Sequence, residues 1–258
     1  MTGVAVGLPG YAGWRVLNRT MAAQQAVIAR DPALNRDHAY FREKMTSVTS
    51  AEEFVSDFRL MRTALTAAGL ETDVRNRFFI RKVLESDLAD PKSFANRLSD
   101  KRYAALARSV TAAMGSKGQP AVDRIVGNHR QAELEARVGA VDPDLRVALY
   151  TRRELGAIAA APSTENTKWY QILGSSPLRK VVAGAFGFGT SYSKLPLDRQ
   201  LDEFKAAADK MFGTSDPKGL ADPQNMEKLI QRFLIRSQAA QGLQGLQGSY
   251  ATALQLLR

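Results

Sequence analysis

The chain has 258 residues, of which 45% are apolar and 24% charged, and its 36 Lys and Arg against 26 Asp and Glu give a formal net charge of +10. These fractions are typical of a globular protein and exclude a wholly disordered chain. Because the sequence contains no Cys and only two His, disulfides, zinc fingers, iron–sulfur clusters and thiol nucleophiles are excluded as well.

The N-terminal region lacks the pattern of a secretory leader. It carries no Lys or Arg before Arg15 and no continuous apolar core segment. No run in the whole sequence approaches the ~18–20 apolar residues that a membrane span needs. We therefore expect a chain made in the cytoplasm, with export by an apparatus that reads an uncleaved N-terminus remaining compatible with the sequence.

Apolar residues at steps of three and four predict an amphipathic N-terminal helix. Its apolar seam consists of Trp14, Leu17, Met21 and Ile28. We expect this helix to end near Asp31, because Pro32 disfavours helical geometry in the residue before it. A second helix is predicted to start between Pro32 and Asp37 and to run through Tyr40, Phe41 and Met45.

The next helical signal is a capping box formed by Ser50 and Glu53. The spacing predicts one helix that ends at Gly69, a suitable left-handed residue after a helix. Its predicted buried residues are Phe54, Phe58, Met61 and Leu65. Thr72 or Asp73 is then expected to cap a further helix that buries Phe78 and Phe79.

The middle of the chain continues the helical pattern between breaks rich in Gly and Pro. The clearest loop spans residues 115–120, and Asp142 followed by Pro143 marks the start of another helix. Residues 197–212 read as helix and residues 213–223 as a linker.

The last segment carries a second amphipathic seam, interrupted by a phase slip near Gly242. Its residues proposed for contacts are Phe233, Leu243, Leu246, Tyr250 and Leu257. Three glycines between residues 241 and 248 each cost up to ~1 kcal/mol of helix stability relative to Ala. Either a closely approaching partner offsets that cost, or the terminal helix frays.

Strand signals are scarce, so the sequence predicts an all-α protein of many short helices with long terminal helices. We divide it into an N-terminal helix (1–31), a first helical half (32–115), a second helical half (116–223) and a C-terminal helix (224–258). Residues 60–70 and 178–188 resemble each other in outline. They indicate either a duplicated helical hairpin or two ordinary helix ends.

No catalytic or metal-binding pattern is recognisable in the sequence. His38 and His129 each stand without a partner at helical spacing, and the Gly-rich segments fail the spacing of phosphate-binding loops. We therefore expect no cofactor, no metal and no small-molecule substrate. The basic residues are interleaved with acidic ones, which favours a solvated surface over a groove for nucleic acid.

One long stretch resembles a known family. Residues 40–103 carry, in order, YFRxxM, SAEEFVxDFRLM, AGLE, FIRKVLESD and DPKSFANRLxDxRY, and WYQILG follows at residues 169–174. These motifs are similar to those of the alphaproteobacterial domain-of-unknown-function family 1217. Members are helical and their genes tend to lie among flagellar genes, so the resemblance implies a role in flagellar structure or assembly and supplies no catalytic residue.

Under that resemblance, the two terminal seams have two interpretations. They pair as a coiled coil with copies or flagellar partners, as terminal helices of axial proteins do, or they pack on the chain's own core. The favoured function is a non-enzymatic flagellum-associated protein acting through protein–protein contacts, located in the flagellum or the cytoplasm. The alternatives are a cytoplasmic regulator or export chaperone for a flagellar client and a basic helical module that binds nucleic acid.

Overall fold

The computed structural model describes residues 8–189, 192 and 194–256, with side chains in the last helix described as far as residue 242. Within this part, the chain forms fourteen α-helices and no β-strand, which confirms the all-α prediction. The helices are Gly10–Ala29 (α1), Pro32–Met45 (α2), Ala51–Ser56 (α3), Phe58–Ala67 (α4), Arg77–Leu84 (α5), Phe94–Arg97 (α6), Arg102–Ala113 (α7), Gln119–Gly139 (α8), Pro143–Ala160 (α9), Glu165–Gly174 (α10), Ser176–Phe186 (α11), Leu197–Phe212 (α12), Pro217–Leu220 (α13) and Pro223–Leu256 (α14). None of these helices combines the length and the apolarity that crossing a bilayer requires.

Side-chain caps define several helix starts, among them the predicted one at Ser50. The Asp31 carboxylate accepts hydrogen bonds from the Ala33 and Leu34 amides at 2.9 and 3.2 Å, and Pro32 opens α2. The Ser50 hydroxyl accepts from the Glu53 amide at 3.2 Å at the start of α3. The Glu53 carboxylate in turn accepts from the Thr49 amide at 2.8 Å, one residue before the position that the capping box predicts.

The single helix predicted between Ser50 and Gly69 is wrong, because Asp57 divides it into α3 and α4. Asp57 has an extended backbone, and its carboxylate accepts from the Arg59 and Leu60 amides at 2.9 and 3.1 Å. Because this cap starts a new helix, the residues after Asp57 face other directions than they would in one continuous helix from Ser50. Phe58, predicted to be buried, is consequently 47% exposed, whereas Phe54 is fully buried.

The predicted cap at Thr72 or Asp73 is also wrong. Asp73 ends a short 3-10 helix, and its carboxylate accepts a hydrogen bond from the Tyr103 hydroxyl at 2.6 Å, while α5 begins four residues later. The later start turns Phe78 outward, so that it is 64% exposed. Phe79 faces inward and packs edge-to-face on Tyr103 with ring centroids 5.1 Å apart.

The second half contains a short helix that the sequence did not predict. Residues 213–223 include α13, whose Leu220 is fully buried. Just before it, the Ser215 carbonyl accepts a hydrogen bond from the Trp169 indole at 2.7 Å. Asp142 caps α9 as predicted, accepting from the Asp144 amide at 2.8 Å.

The two similar segments, residues 60–70 and 178–188, end in the same backbone geometry. Gly69 and Gly187 have φ of 69° and 85°, values that favour glycine. The amide after each glycine donates to the carbonyl five residues earlier, from Leu70 to Leu65 at 2.8 Å and from Phe188 to Ala183 at 2.9 Å. A duplicated hairpin stays a prediction, since this helix ending is common.

Contacts divide the chain into two compact units, and the division cuts across two of the four segments drawn from the sequence. The first unit contains residues 19–137, and the second contains the described parts of residues 6–18 and 138–258. The largest fully buried side chains of the first core are Phe41, Met45, Phe54, Leu60, Met61, Leu65 and Ile80. The second core includes an aromatic cluster in which Trp169 and Phe186 each pack edge-to-face on Phe204.

Candidate functional site

Four of the nine residues predicted to make protein contacts lie in the chain's own core. Trp14, Leu17 and Ile28 are fully buried and Phe233 is 3% exposed. Met21 is partly exposed. The side chains of Leu243, Leu246 and Tyr250, and all of Leu257, lie outside the described residues. For the four buried residues the structure agrees with packing on the chain's own core, so none of them offers an exposed surface to a partner.

Within the second unit, the start of α1 contacts α14, so the two terminal helices meet inside one chain. The Trp14 indole donates to both carboxylate oxygens of Glu227, at 3.0 and 2.9 Å. The Arg152 guanidinium lies 5.0 Å from the Trp14 ring centroid. A second contact joins the Tyr11 amide to the Gln238 side-chain oxygen at 3.4 Å. The seam residues that lie in this unit, Trp14 and Leu17, are therefore buried within the chain itself.

The last helix, α14, has a buried part and an exposed part. Its first turns bury a row of apolar side chains, namely Met226, Leu229, Ile230, Phe233 and Leu234. From residue 235 to residue 242 every side chain is exposed except Ser237, which is partly exposed. Ile235, a large apolar residue, is 48% exposed. The helical backbone then continues to Leu256.

A groove of about 640 Å³ lies between α11 and residues 233–240 of α14, where the buried part of that helix passes into the exposed part. Its floor depends on Gly184, because a Cβ atom there would lie 2.9 Å from the Phe233 ring. Glycine thus lets the two helices approach closely. Phe188 stacks face to face on Tyr192 at one end, with ring centroids 4.1 Å apart. The groove has the size of sites that bind small ligands or short peptide segments.

Three basic side chains line this groove, and among the described residues the buried Asp144 carboxylate offsets part of their charge. Arg179, Lys180 and Arg236 all lie along it. The Lys180 ammonium contacts the Asp144 carboxylate at 2.7 Å, and Asp144 also accepts from Gln241 at 3.1 Å. The three cations against one carboxylate leave the groove positively charged, so an occupant with negative charge would be favoured.

The two histidines are not isolated, contrary to the expectation from sequence spacing. In the first unit, His38 of α2 and His129 of α8 are 1% and 3% exposed, and Nε2 of His38 lies 2.9 Å from Nδ1 of His129. One ring donates and the other accepts, which requires at least one neutral imidazole. The two residues are 91 positions apart in the chain, so no local pattern could have paired them.

Burial keeps both imidazoles uncharged near neutral pH. Desolvation lowers the pKa of His38 to about 4, with the neighbouring charges of Arg130 and Arg42 acting in the same direction. Desolvation likewise lowers the pKa of His129 to about 4, assisted by His38. A metal ion would need further ligands, and among the described residues no group of three His, Asp or Glu side chains converges to supply them.

The groove is the feature that sequence analysis missed. The one available signal was Gly184, which stands inside a helical pattern where glycine is unfavourable by about 1 kcal/mol relative to Ala. Such a glycine often marks a close approach of another element. The positive charge of the groove could not be predicted from the sequence, because Arg179 and Lys180 lie far from Arg236 along the chain.

The comparisons with known proteins identify a family but no activity. The family described as "Protein of unknown function (DUF1217)" matches residues 67–226. The chain is also similar to the crystal structure of protein AGR_C_984 from Agrobacterium tumefaciens, with a TM-score of 0.71 and 29% sequence identity over 88% of this chain and 92% of that one. A search of curated proteins gave no match. Since the family match covers more than half of the chain, from the end of α4 to the start of α14, the protein belongs to the DUF1217 family.

Proposed function

We propose that this protein is a non-enzymatic, flagellum-associated protein that acts through protein–protein contacts, as a structural component or an assembly factor. The observation that carries the contact role is the change of environment along α14. Its first turns are anchored in the second core, whereas residues 235–242 are almost entirely exposed and the helix continues beyond them.

The sequence of the distal part of α14 supports this proposal. Leu243, Leu246 and Tyr250 follow one another at steps of three and four, which places them along one side of a helix. Fourteen helical residues beyond position 242 extend about 21 Å at 1.5 Å per residue. From Leu243 to Tyr250 the apolar row is seven residues long, about 10 Å of helix. Such a row on the distal part of α14 fits recognition by a groove or by another helix.

The flagellar part of the proposal rests on the family resemblance, whose members' genes tend to lie among flagellar genes. Neither the fold nor the relatives bear on it directly. A structural component would be located in the flagellum after export without a cleavable leader. An assembly factor would be located in the cytoplasm.

A second candidate function is an export chaperone or regulator that holds a flagellar client. The positively charged groove between α11 and α14 favours it, because a client segment carrying Asp or Glu would find Arg179 on α11 and Arg236 on α14. Fractionation of motile cells separates the two candidates. Recovery in purified hook–basal bodies supports the structural role, and recovery in the cytosol alone supports the chaperone.

The contact role itself is tested by paired substitutions in α14. Leu246→Asp places a charge in the apolar row, and Gln247→Asp places the same charge at the next position on another side of the helix. We expect Leu246→Asp to abolish capture of partners from motile-cell extracts and to reduce swimming, and Gln247→Asp to leave both close to wild type. Equal behaviour of the two variants would contradict a role for this face.

A further inference from the structure

The groove between α11 and α14 has a shape as well as a charge, and the two together define its occupant. Its floor is made of small residues from both helices, namely Ala183, Gly184, Gly187, Ser237 and Ala240. All five are exposed or partly exposed, so an occupant can reach them. Because small residues let another backbone approach closely, this floor suits an element that lies along the two helices.

The length of the groove corresponds to about three turns of helix. Along α11 its lining runs from Ser176 to Gly187, which are eleven positions apart and so span about 16 Å at 1.5 Å per residue. Both walls are helical, and an amphipathic helix is a common occupant of a groove of this kind. A partner helix of about three turns would match the α11 wall.

Two guanidinium groups lie near the two ends of this wall. Arg179 is partly exposed and donates to the Leu173 carbonyl at 3.2 Å, which ties it to the end of α10. Arg236 is exposed, and its guanidinium packs on Gly187, where an added Cβ atom would lie 2.7 Å from Nη1. Neither guanidinium forms an ion pair with a carboxylate of the residues that the structure describes.

The third cation of the groove, Lys180, is already neutralised. Its ammonium lies 2.7 Å from the Asp144 carboxylate. The Ser237 hydroxyl and the Gln241 amide also donate to that carboxylate, so Asp144 is fully engaged within the chain. The groove therefore presents two charges without a counterion, one near each end, and an occupant with two acidic groups would complement them.

The separation of these two charges sets the spacing of the acidic groups. Arg179 and Gly187, on which Arg236 packs, are eight positions apart, or about 12 Å along the α11 axis. On a partner helix this distance corresponds to seven or eight residues, and a spacing of seven returns to nearly the same side of the helix. Two Asp or Glu residues seven positions apart would therefore reach both guanidinium groups at once.

We propose that this groove binds an acidic amphipathic helix of a partner protein. The helix lies along α11 and α14 with its apolar stripe on the floor, and two carboxylates seven positions apart contact Arg179 and Arg236. The proposal names the partner chemistry for the export-chaperone form of the proposed function, and it rests on that form for its biological setting. Single-stranded nucleic acid is the competing occupant, and the experiment includes it.

The probe is a short fluorescent helical peptide of Ala, Leu and Gln that carries two Glu seven positions apart. It is titrated into the full-length protein and followed by fluorescence anisotropy. We expect saturable binding that weakens as the salt concentration increases. A peptide of the same composition with its two Glu five positions apart places them on different sides of the helix, and we expect it to bind about tenfold more weakly, as the loss of one hydrogen bond between charged groups predicts.

Two matched pairs of variants test where the peptide binds. Arg236→Gln removes one end charge, and Lys218→Gln removes the same charge from an exposed residue of the second unit that does not line the groove. Ala240→Leu fills the groove, and Ala239→Leu makes the same change at a neighbouring exposed residue outside it.

We expect Arg236→Gln to weaken peptide binding about tenfold or more, and Ala240→Leu to weaken it comparably because the added side chain occupies the space of the peptide. Lys218→Gln and Ala239→Leu should leave the affinity unchanged. Since all four positions are exposed, the variants should keep the wild-type circular dichroism spectrum. An unlabelled single-stranded oligonucleotide is expected not to displace the peptide.

Four results would each overturn the proposal. They are the absence of saturable binding, equal binding of the two peptides, displacement of the peptide by the oligonucleotide, and an unchanged affinity in a folded Arg236→Gln or Ala240→Leu variant. Fractionation of motile cells tests the proposed function separately. Recovery in hook–basal bodies alone rejects the chaperone role without changing these affinities, and failure of the peptide to bind rejects this occupant wherever the protein is found.

Discussion

The close contact between α11 and α14 makes a quantitative prediction for Gly184→Ala. Gly184 lies inside α11 without a positive φ, so an Ala there would gain up to ~1 kcal/mol of helix propensity. Its Cβ atom, however, would lie 2.9 Å from the ring of Phe233, a side chain that is 3% exposed and has little room to move. Overpacking of this kind costs ~1–3 kcal/mol. We therefore expect a net loss of ~0–3 kcal/mol in the free energy of unfolding.

Gly156→Ala is the matched control, because it makes the same substitution inside α9 where, apart from the helix's own neighbouring backbone, no atom of the described chain lies within 4 Å of the added Cβ. Only the propensity gain remains there, so we expect stabilisation of up to ~1 kcal/mol. The difference between the two variants then isolates the contact with Phe233 and should amount to ~1–3 kcal/mol.

The chain offers a selective assay for this pair of variants. Both of its tryptophans, Trp14 and Trp169, belong to the second unit, which also contains Gly156 and Gly184. Urea unfolding followed by tryptophan fluorescence therefore reports on the unit that carries the substitutions. If Gly184→Ala stabilised this unit as much as Gly156→Ala, the packing of Phe233 against α11 would be refuted.

Three further predictions concern polar groups, namely the buried histidine pair and two carboxylates that cap helices. Because the pKa values of His38 and His129 are lowered from 6.5 to about 4, the unfolded chain takes up protons between these pH values that the folded chain does not. The free energy of unfolding should thus fall as the pH decreases from about 6.5 to about 4. In urea unfolding followed by far-ultraviolet circular dichroism, His129→Gln should make this fall less steep. An equally steep fall in the variant would contradict the pairing. Asp57→Ala removes the cap of α4 and should cost ~1 kcal/mol in the same assay, with Asp57→Asn retaining most of the stability; equal losses in both would count against the cap. Asp142→Ala removes the cap of α9 and the acceptor of the Gly10 amide, a bond of 2.7 Å, and should cost ~1–2 kcal/mol in the fluorescence assay; a neutral effect would disprove that bond.

Local chemistry predicted the helices whose ends are defined by a few adjacent residues. Asp31 with Pro32, Ser50 with Glu53, and Asp142 with Pro143 each start a helix where the sequence places it, since a cap depends only on residues within one turn. The same chemistry was overlooked at Asp57, because the apolar spacing from Phe54 to Phe58 continues the helical pattern across the cap. Periodicity alone does not distinguish a continuous helix from two helices joined at one residue.

The candidate sites were less predictable, because they join residues that are distant in the chain. The histidine pair brings together α2 and α8, and the charged groove brings together α11 and α14. Burial was misjudged where an element started later than expected, as for Phe78. The seam residues Trp14 and Phe233 were correctly recognised as apolar ridges of helices, yet spacing does not say whether such a ridge packs inside the monomer or on a partner.

Under the contact role proposed above, the division of α14 into an anchored part and an exposed part determines when the protein can engage a partner. The anchored turns complete a core whose apolar surface is already withdrawn from water. A partner that takes the distal turns therefore finds a finished fold and need not wait for, or drive, its formation. Such a protein can be made and stored in its final conformation well before its assembly begins, and its recruitment can be set by the concentration of the partner alone.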